Sequence, residues 1–281
     1  LFSQPDSAFY FAQMQYDFAL SVNNKRFMAH SISTQGVSFA IRGNYEKSLE
    51  YFLKTLEIRK EIDDKKGMGD SCNNIGNIYD DQGNSEKALE YHSKSLAINK
   101  EIGNKEGMGV SYNSIGFIYS SQGNSEKALE YYLKSLRITE ELGDKNGIGD
   151  SYNNIGLIYS SQGNYEKALE FYLKSLGIDK ELNNKNGMAC SYNNIGIIYK
   201  YQGNYEKALE YYLKGLAIDK DLGDIKGIGD SNNNIGLFYK DQGNYEKALD
   251  YLLKSKNIKQ EINTIKGLDE TSKSLSEVYK K

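Results

Sequence analysis

The side chains able to do chemistry are few, and they do not cluster. The two histidines, His30 and His92, each stand where comparable stretches have another residue type. Neither has cysteines or carboxylates at metal-ligand spacing, so they read as exposed or groove-edge side chains, and no metal is expected. Gly67-Met68-Gly69 and its copies look like a phosphate-binding loop, but they follow a helical pattern and not a strand. Packing at a helix start is the better reading. The Glu-Lys pairs, such as Glu126-Lys127 and Glu166-Lys167, read as a solvated face. Little in the chain looks catalytic, so an enzyme is not expected.

One constellation rises above this background. Asn73, Asn113, Asn153, Asn193 and Asn233 recur at one helical position. Asn74, Asn154, Asn194 and Asn234 recur at the next, with Ser114 in the third copy. Asparagine is a mediocre helix former, so local propensity does not account for adjacent pairs. An amide carries both a donor and an acceptor and can match a peptide N–H and C=O together. Adjacent helical residues point about 100° apart. The preferred reading makes one member of each pair structural and the other ligand-facing, with Asn113, Asn153, Asn193 and Asn233 as the ligand-facing row. The two rows can exchange roles if the helix is rotated by one residue.

Variable rows flank this ladder. Asp70, Val110, Asp150, Cys190 and Asp230 form one; Asn77, Phe117, Leu157, Ile197 and Leu237 a second; Asp80, Ser120, Ser160, Lys200 and Lys240 a third. A constant amide row beside variable neighbours fits backbone affinity with side-chain selectivity. The acidic row leans toward a ligand with basic residues.

The elements that carry these rows follow from one phrase that returns every 40 residues, opened by Gly43, Gly83, Gly123, Gly163, Gly203 and Gly243. A fixed period of this size marks a stacked repeat. In the copy that begins at Gly123, the glycine ends one helix and Asn124 caps the next. Ala128, Leu129, Tyr132 and Leu136 lie on one helical face, widened by Tyr131, Leu133, Ile138 and Leu142. Gly143-Asp144 repeats the stop-and-cap grammar, and a second helix from about Lys145 to Gln162 buries Ile148, Tyr152, Ile155, Ile158 and Tyr159. Gly156 falls mid-helix, where glycine costs roughly 1 kcal/mol against alanine; a helix passing close by explains it. Short loops make each unit an antiparallel hairpin, and hairpins must stack to bury both faces.

The unit resembles the tetratricopeptide repeat family. Ile155-Gly156 and Tyr159, Gly163 at the turn, Tyr165, and Ala168, Tyr172 and Leu176 carry the resemblance. The family's usual period is 34 residues. The longer unit here resembles the extended repeats of kinesin light chains and the Pins family, and also arrays attached to bacterial signalling proteins. The family's closing proline is absent, and the only proline is Pro5. The resemblance implies an all-α, right-handed superhelical solenoid of about fourteen helices. It also implies that the first helices line a concave groove, where relatives hold extended peptides through asparagine amides.

Applied along the chain, this gives a single solenoid over 1–281, a half repeat or capping helix at 1–24, six pairs over 25–264, and a capping or connecting helix at 265–281. Ser3 is read as the cap of the first helix, with Ala8, Tyr16 and Phe18 on its apolar register. The start at Leu1 reads as an arbitrary edge, with the end of a removed signal peptide as the alternative. The net charge is −3, so no strong field favours nucleic acid or an anionic membrane. No apolar run is long enough for membrane insertion. Cys72 and Cys190 are about three repeats apart, beyond disulfide reach, so both are expected as free thiols. The expected product is soluble, in cytoplasm or periplasm, and needs no cofactor. The leading function is a non-enzymatic scaffold for a peptide or protein segment. The alternatives are a sensory segment of a larger signalling protein and a self-associating structural array.

Overall fold

The computed structural model describes residues 5–261 and 265–279; Ser3 lies outside them. Every described element is a helix. First comes α1 (Pro5–Ser21), then α2 (Lys25–Ile41) with α3 (Tyr45–Glu61), α4 (Lys65–Asp81) with α5 (Ser85–Glu101), and α6 (Lys105–Ser121) with α7 (Ser125–Leu142). After these come α8 (Lys145–Ser161) with α9 (Tyr165–Glu181), α10 (Lys185–Tyr201) with α11 (Tyr205–Leu222), α12 (Ile225–Asp241) with α13 (Tyr245–Glu261), and a final α14 (Ile265–Tyr279). The all-α architecture and the number of helices agree with the sequence reading.

The stop-and-cap grammar sets these boundaries. Gly43, Gly83, Gly123, Gly163, Gly203 and Gly243 all take the left-handed conformation, with φ between 72° and 75°. The asparagine after each accepts from the backbone N–H three residues on, as in Lys127 N to Asn124 Oδ1 at 3.1 Å. At the other turn Gly143 is also left-handed, but the Asp144 side chain makes no capping bond. Lys–carboxylate pairs such as Lys65–Glu101 (2.6 Å) and Lys105–Glu141 (2.8 Å) join the open ends of five of the six hairpins. They are exposed, so each contributes about 0–1 kcal/mol.

The chain divides into two compact units, Leu1–Gly143 and Asp144–Lys281. In the first, α1 packs on α2, and the hairpins α2–α3, α4–α5 and α6–α7 follow in series. In the second, the hairpins α8–α9, α10–α11 and α12–α13 follow in series and α14 closes on α13. First helices of successive repeats also meet: α4 with α6 in one unit, and α8 with α10, α10 with α12 and α12 with α14 in the other.

The close approach read from Gly156 is made by a ring. A Cβ on Gly156 would lie 2.8 Å from Cδ1 and Cε1 of Tyr172, a side chain that is 2% exposed. Tyr132 covers Gly116, Tyr212 covers Gly196, Phe52 covers Gly36, Leu252 covers Gly236, and His92 covers Gly76. His92 is therefore 1% exposed and occupies a tyrosine's slot, which corrects its reading as a groove-edge residue; His30 is exposed as expected. The glycines of Gly67-Met68-Gly69 are likewise packed, against Arg59 and Asp64 and against Asn99, so no phosphate loop is involved.

Two further expectations change, while the Glu-Lys pairs are exposed as expected. Leu133 and Leu142 are 43% and 47% exposed, so α7 buries Ala128, Tyr132, Leu136 and Ile138 without them. In α1 the buried stripe is Ala8, Ala12 and Ala19, while Phe18 is 70% exposed. The Glu-Lys lysines lie over rings: Lys127 Nζ is 4.8 Å from the Tyr119 centroid and Lys167 Nζ 5.0 Å from that of Tyr159.

Gly156→Ala is expected to destabilise by about 1–3 kcal/mol through overpacking against Tyr172, and Gly156→Leu by more. Gly177→Ala in α9 is the control. Nothing lies within 4 Å of its Cβ, so it should gain up to about 1 kcal/mol from helix propensity. Urea melts of the variants read the difference; a Gly156→Ala protein as stable as the parent would show that the ring can yield.

Candidate functional site

Both asparagine rows fall on first helices, on the side where those helices meet. All nine amides are half-buried. The row expected to face a ligand turns out to carry bonds between elements. Asn73 Oδ1 lies 2.9 Å from His92 Nδ1 on the paired helix. Asn193 Nδ2 donates to Ser231 Oγ in the next repeat at 3.0 Å, and Asn233 Oδ1 accepts from Thr271 Oγ1 at 3.1 Å. Asn153 Oδ1 accepts from Asn194 Nδ2 at 2.9 Å, and the two amides bracket the Cys190 sulfur at 3.9 and 3.7 Å. Asn113 is half-buried in the same register. Asn73, Asn153, Asn193 and Asn233 of the first row thus all bond to another element, and Asn194 of the second row does so as well.

The second row, Asn74, Asn154, Asn194 and Asn234, lies beside it. In the first unit Asn74 and Asn73 open onto a cleft of about 390 Å³ between α4, α5 and α6. Asp70 and Val110 stand at its rim and Asn99 and Asn104 line it further in.

The variable rows differ in what holds them. Asp70, Asp150 and Asp230 are all exposed. Asp230 Oδ1 is 3.4 Å from Lys259 Nζ, and desolvation pushes the Asp70 carboxyl up against the pull of the Arg59 charge. Burial of its surroundings pushes the Asp150 carboxyl up, and Asp179 and Asp144 add to the shift. Asn77 is exposed, as are Phe117 and Leu157, whereas Ile197 and Leu237 are half-buried. Lys200 and Lys240 reach the next first helix and pair with Asp241 (3.1 Å) and Glu277 (2.8 Å), so both ammonium groups are committed within the stack.

One row was missed from sequence. Arg59, Asn99, Thr139, Asp179, Asp219 and Lys259 occupy one position near the ends of the second helices. Five of the six are buried, and Arg59 is half-buried. For Arg59, Asp179 and Asp219 the partner is a buried serine of the adjacent first helix, and for Lys259 it is the buried Thr271. Ser71 accepts from Arg59 at 3.1 Å, Ser191 donates to Asp179 at 3.3 Å, and Ser231 donates to Asp219 at 2.6 Å. Asn104 donates to Asn99 at 2.7 Å instead of capping α6. Burial raises the Asp179 and Asp219 carboxyls, against the pull of these hydroxyls. The signal was present in the 40-residue alignment, as a position that changes charge while its partner stays a hydroxyl, serine or, at 271, threonine.

Cys72 and Cys190 are both free thiols, as expected. Among the described residues no group of His, Cys, Asp and Glu is arranged to hold a metal, and no helix is long and apolar enough to cross a membrane.

Tetratricopeptide repeat family models match residues 27–101, 107–181, 147–221 and 229–262. Among solved structures, BtubC (BKLC) from P. vanneervenii is similar at 20% identity and a TM-score of 0.69, over 78% of this chain and 92% of that one. A signal transduction ATPase with numerous domains that carries a tetratricopeptide repeat sensor, from Pyrococcus horikoshii, is similar at 21% identity and 0.71. That match covers 98% of this chain and 44% of the ATPase. A Rap protein complexed with competence and sporulation factor is similar at 15% and 0.67, over 92% and 75% of the two chains. No curated protein matches.

The buried His92 makes acid stability testable. Burial drops its pKa to about 4, from 6.5. The unfolded chain then binds more protons between those values, so stability falls as pH falls from 6.5 toward 4, by up to on the order of 3 kcal/mol. The raised carboxyls act in the opposite sense, but they are common to parent and variant. His92→Tyr, which installs the residue found at 132, 172 and 212, is expected to lose less stability than the parent between pH 7 and 4.5 in denaturant melts. Parallel losses would show that His92 is not held neutral.

Proposed function

The chain belongs to the tetratricopeptide repeat family, and from that premise we propose that it is a non-enzymatic scaffold holding an extended peptide or protein segment along its first helices. The observation that carries this reading is the division of labour between the amide rows. Asn73, Asn153, Asn193 and Asn233 tie elements together, and we assign the adjoining Asn74 and Asn234 to the ligand backbone. Asn194 bridges both tasks through its bond to Asn153. Selectivity falls to the changing neighbours: Asp70, Val110, Asp150, Cys190 and Asp230, with Asn77, Phe117 and Leu157 beside them. Lys200 and Lys240 are withdrawn from that list because they pair with Asp241 and Glu277. Balanced charge, 35 basic against 38 acidic residues, gives no field for nucleic acid.

A second reading makes the array the sensor of a larger signalling protein. The similarity of this whole chain to less than half of a repeat-bearing ATPase favours it, and an effector domain in the same reading frame would establish it.

The test is selection from a random linear peptide library, followed by calorimetry. Asn74→Ala and Asn234→Ala should each weaken the selected peptide about three- to tenfold, the value of one neutral hydrogen bond near 0.5–1.5 kcal/mol. Asn193→Ala should act mainly on stability, lowering Tm by about 2–4 °C. A peptide bound equally well by all three variants would place its site elsewhere.

A further inference from the structure

The second position of interest lies on another side of the hairpin and is independent of the amide rows. Tyr112, Tyr152 and Tyr192 hold one repeat position, and Cys72 holds the same position one repeat earlier. The tyrosines show what that position is built to take. Tyr112 packs with Leu96 and Ile138, flanked by Met108 and Tyr131. Its ring centroid is 6.1 Å from that of Tyr131, with the ammonium groups of Lys100 and Lys134 at 5.5 and 5.9 Å. Tyr192 has the same company: Tyr211 at 5.8 Å, Lys180 at 5.8 Å and Lys214 at 6.0 Å.

At Cys72 the walls are present and the ring is not. Leu56, Met68, Tyr91 and Ile98, the counterparts of Leu96, Met108, Tyr131 and Ile138, line a cleft of about 310 Å³. Lys60 and Lys94 stand at it, as Lys100 and Lys134 stand at Tyr112. Lys94 is held by Glu90 at 2.5 Å and lies 4.4 Å from the Tyr91 centroid, matching the placement of Lys134 beside Glu130 and Tyr131. Cys72 itself is 3% exposed. Burial holds its thiol above the ordinary value, so it is protonated at neutral pH and adds no charge. An apolar cavity of about 150 Å³ suffices to bind benzene, so a six-membered ring fits here. The lysines favour a ring that is electron-rich or bears a hydroxyl, through cation–π attraction and hydrogen bonding.

We propose that the notch left by Cys72 between α3, α4 and α5 is a binding site for a phenolic ring. The ring has two sources of equal chemistry, a free aryl compound or a tyrosine side chain of a partner. The test uses p-cresol and N-acetyl-tyrosinamide as probes, titrated into the intact chain and followed by NMR shifts. Saturable binding of p-cresol is expected, with Cys72→Tyr weakening it at least tenfold and raising Tm by filling the notch. Bound p-cresol should also slow alkylation of Cys72 by iodoacetamide and leave Cys190 unaffected, a readout that does not depend on the variant. Binding of both probes points to a side chain as occupant, and binding of p-cresol alone to a free compound. Absence of saturable binding, equal affinity for Cys72→Tyr, or unchanged alkylation of Cys72 would each overturn the assignment.

Discussion

A glycine held under a large side chain, a ring in five of the six hairpins and Leu252 in the last, sets the geometry of each hairpin. Gly116 lies under Tyr132, Gly156 under Tyr172 and Gly196 under Tyr212, close enough that a single added carbon would meet the ring. That contact draws the first helix onto the second and presents the flanking isoleucines to the shared core: Ile115, Ile155 and Ile195 are at most 2% exposed. The helix rotation that follows also determines where the adjacent asparagines point. One row comes within reach of the paired helix and the next repeat, and its neighbour lies beside it. The ladder is thus a by-product of packing as much as a feature added to it.

The interior between repeats carries a polar row. A hydroxyl on the first helix, serine or at 271 threonine, meets an arginine, aspartate or lysine from the preceding second helix. Buried polar groups are tolerated when their bonds are made, and a hydroxyl can donate to a carboxylate or accept from a guanidinium without being replaced. Ser71 accepts from Arg59 while Ser231 donates to Asp219, so one residue type accommodates opposite charges. This lets the electrostatic character change from repeat to repeat near the amides while the fold stays constant.

Most of the fold was legible in the sequence because it is written in short-range grammar. The glycine stop, the asparagine cap and the helical spacing act within a few residues, and each copy repeats them. What a residue packs against was harder to read. The absence of metal-ligand partners points to an exposed or groove-edge His92, yet it fills a tyrosine's slot. Phe18 and Leu133 are on apolar registers but stay exposed, since register gives a face and not what covers it. The two asparagine rows differ by about 100° of helix rotation, and the spacing does not reveal that Asn193 and Asn233 reach Ser231 and Thr271. The variable buried row escaped notice because charge at a position usually signals solvent, and its serine partner lies a dozen residues away in the next helix.

The central claim is that the first helices, through their amide-bearing face, hold an extended segment. Amide hydrogen exchange with and without a library-selected linear peptide tests it most directly. The account predicts that the added protection concentrates in α4, α6, α8, α10 and α12, with little change in the second helices of the same hairpins. Protection confined to α1 or to the second helices, with the first helices unchanged, would contradict it.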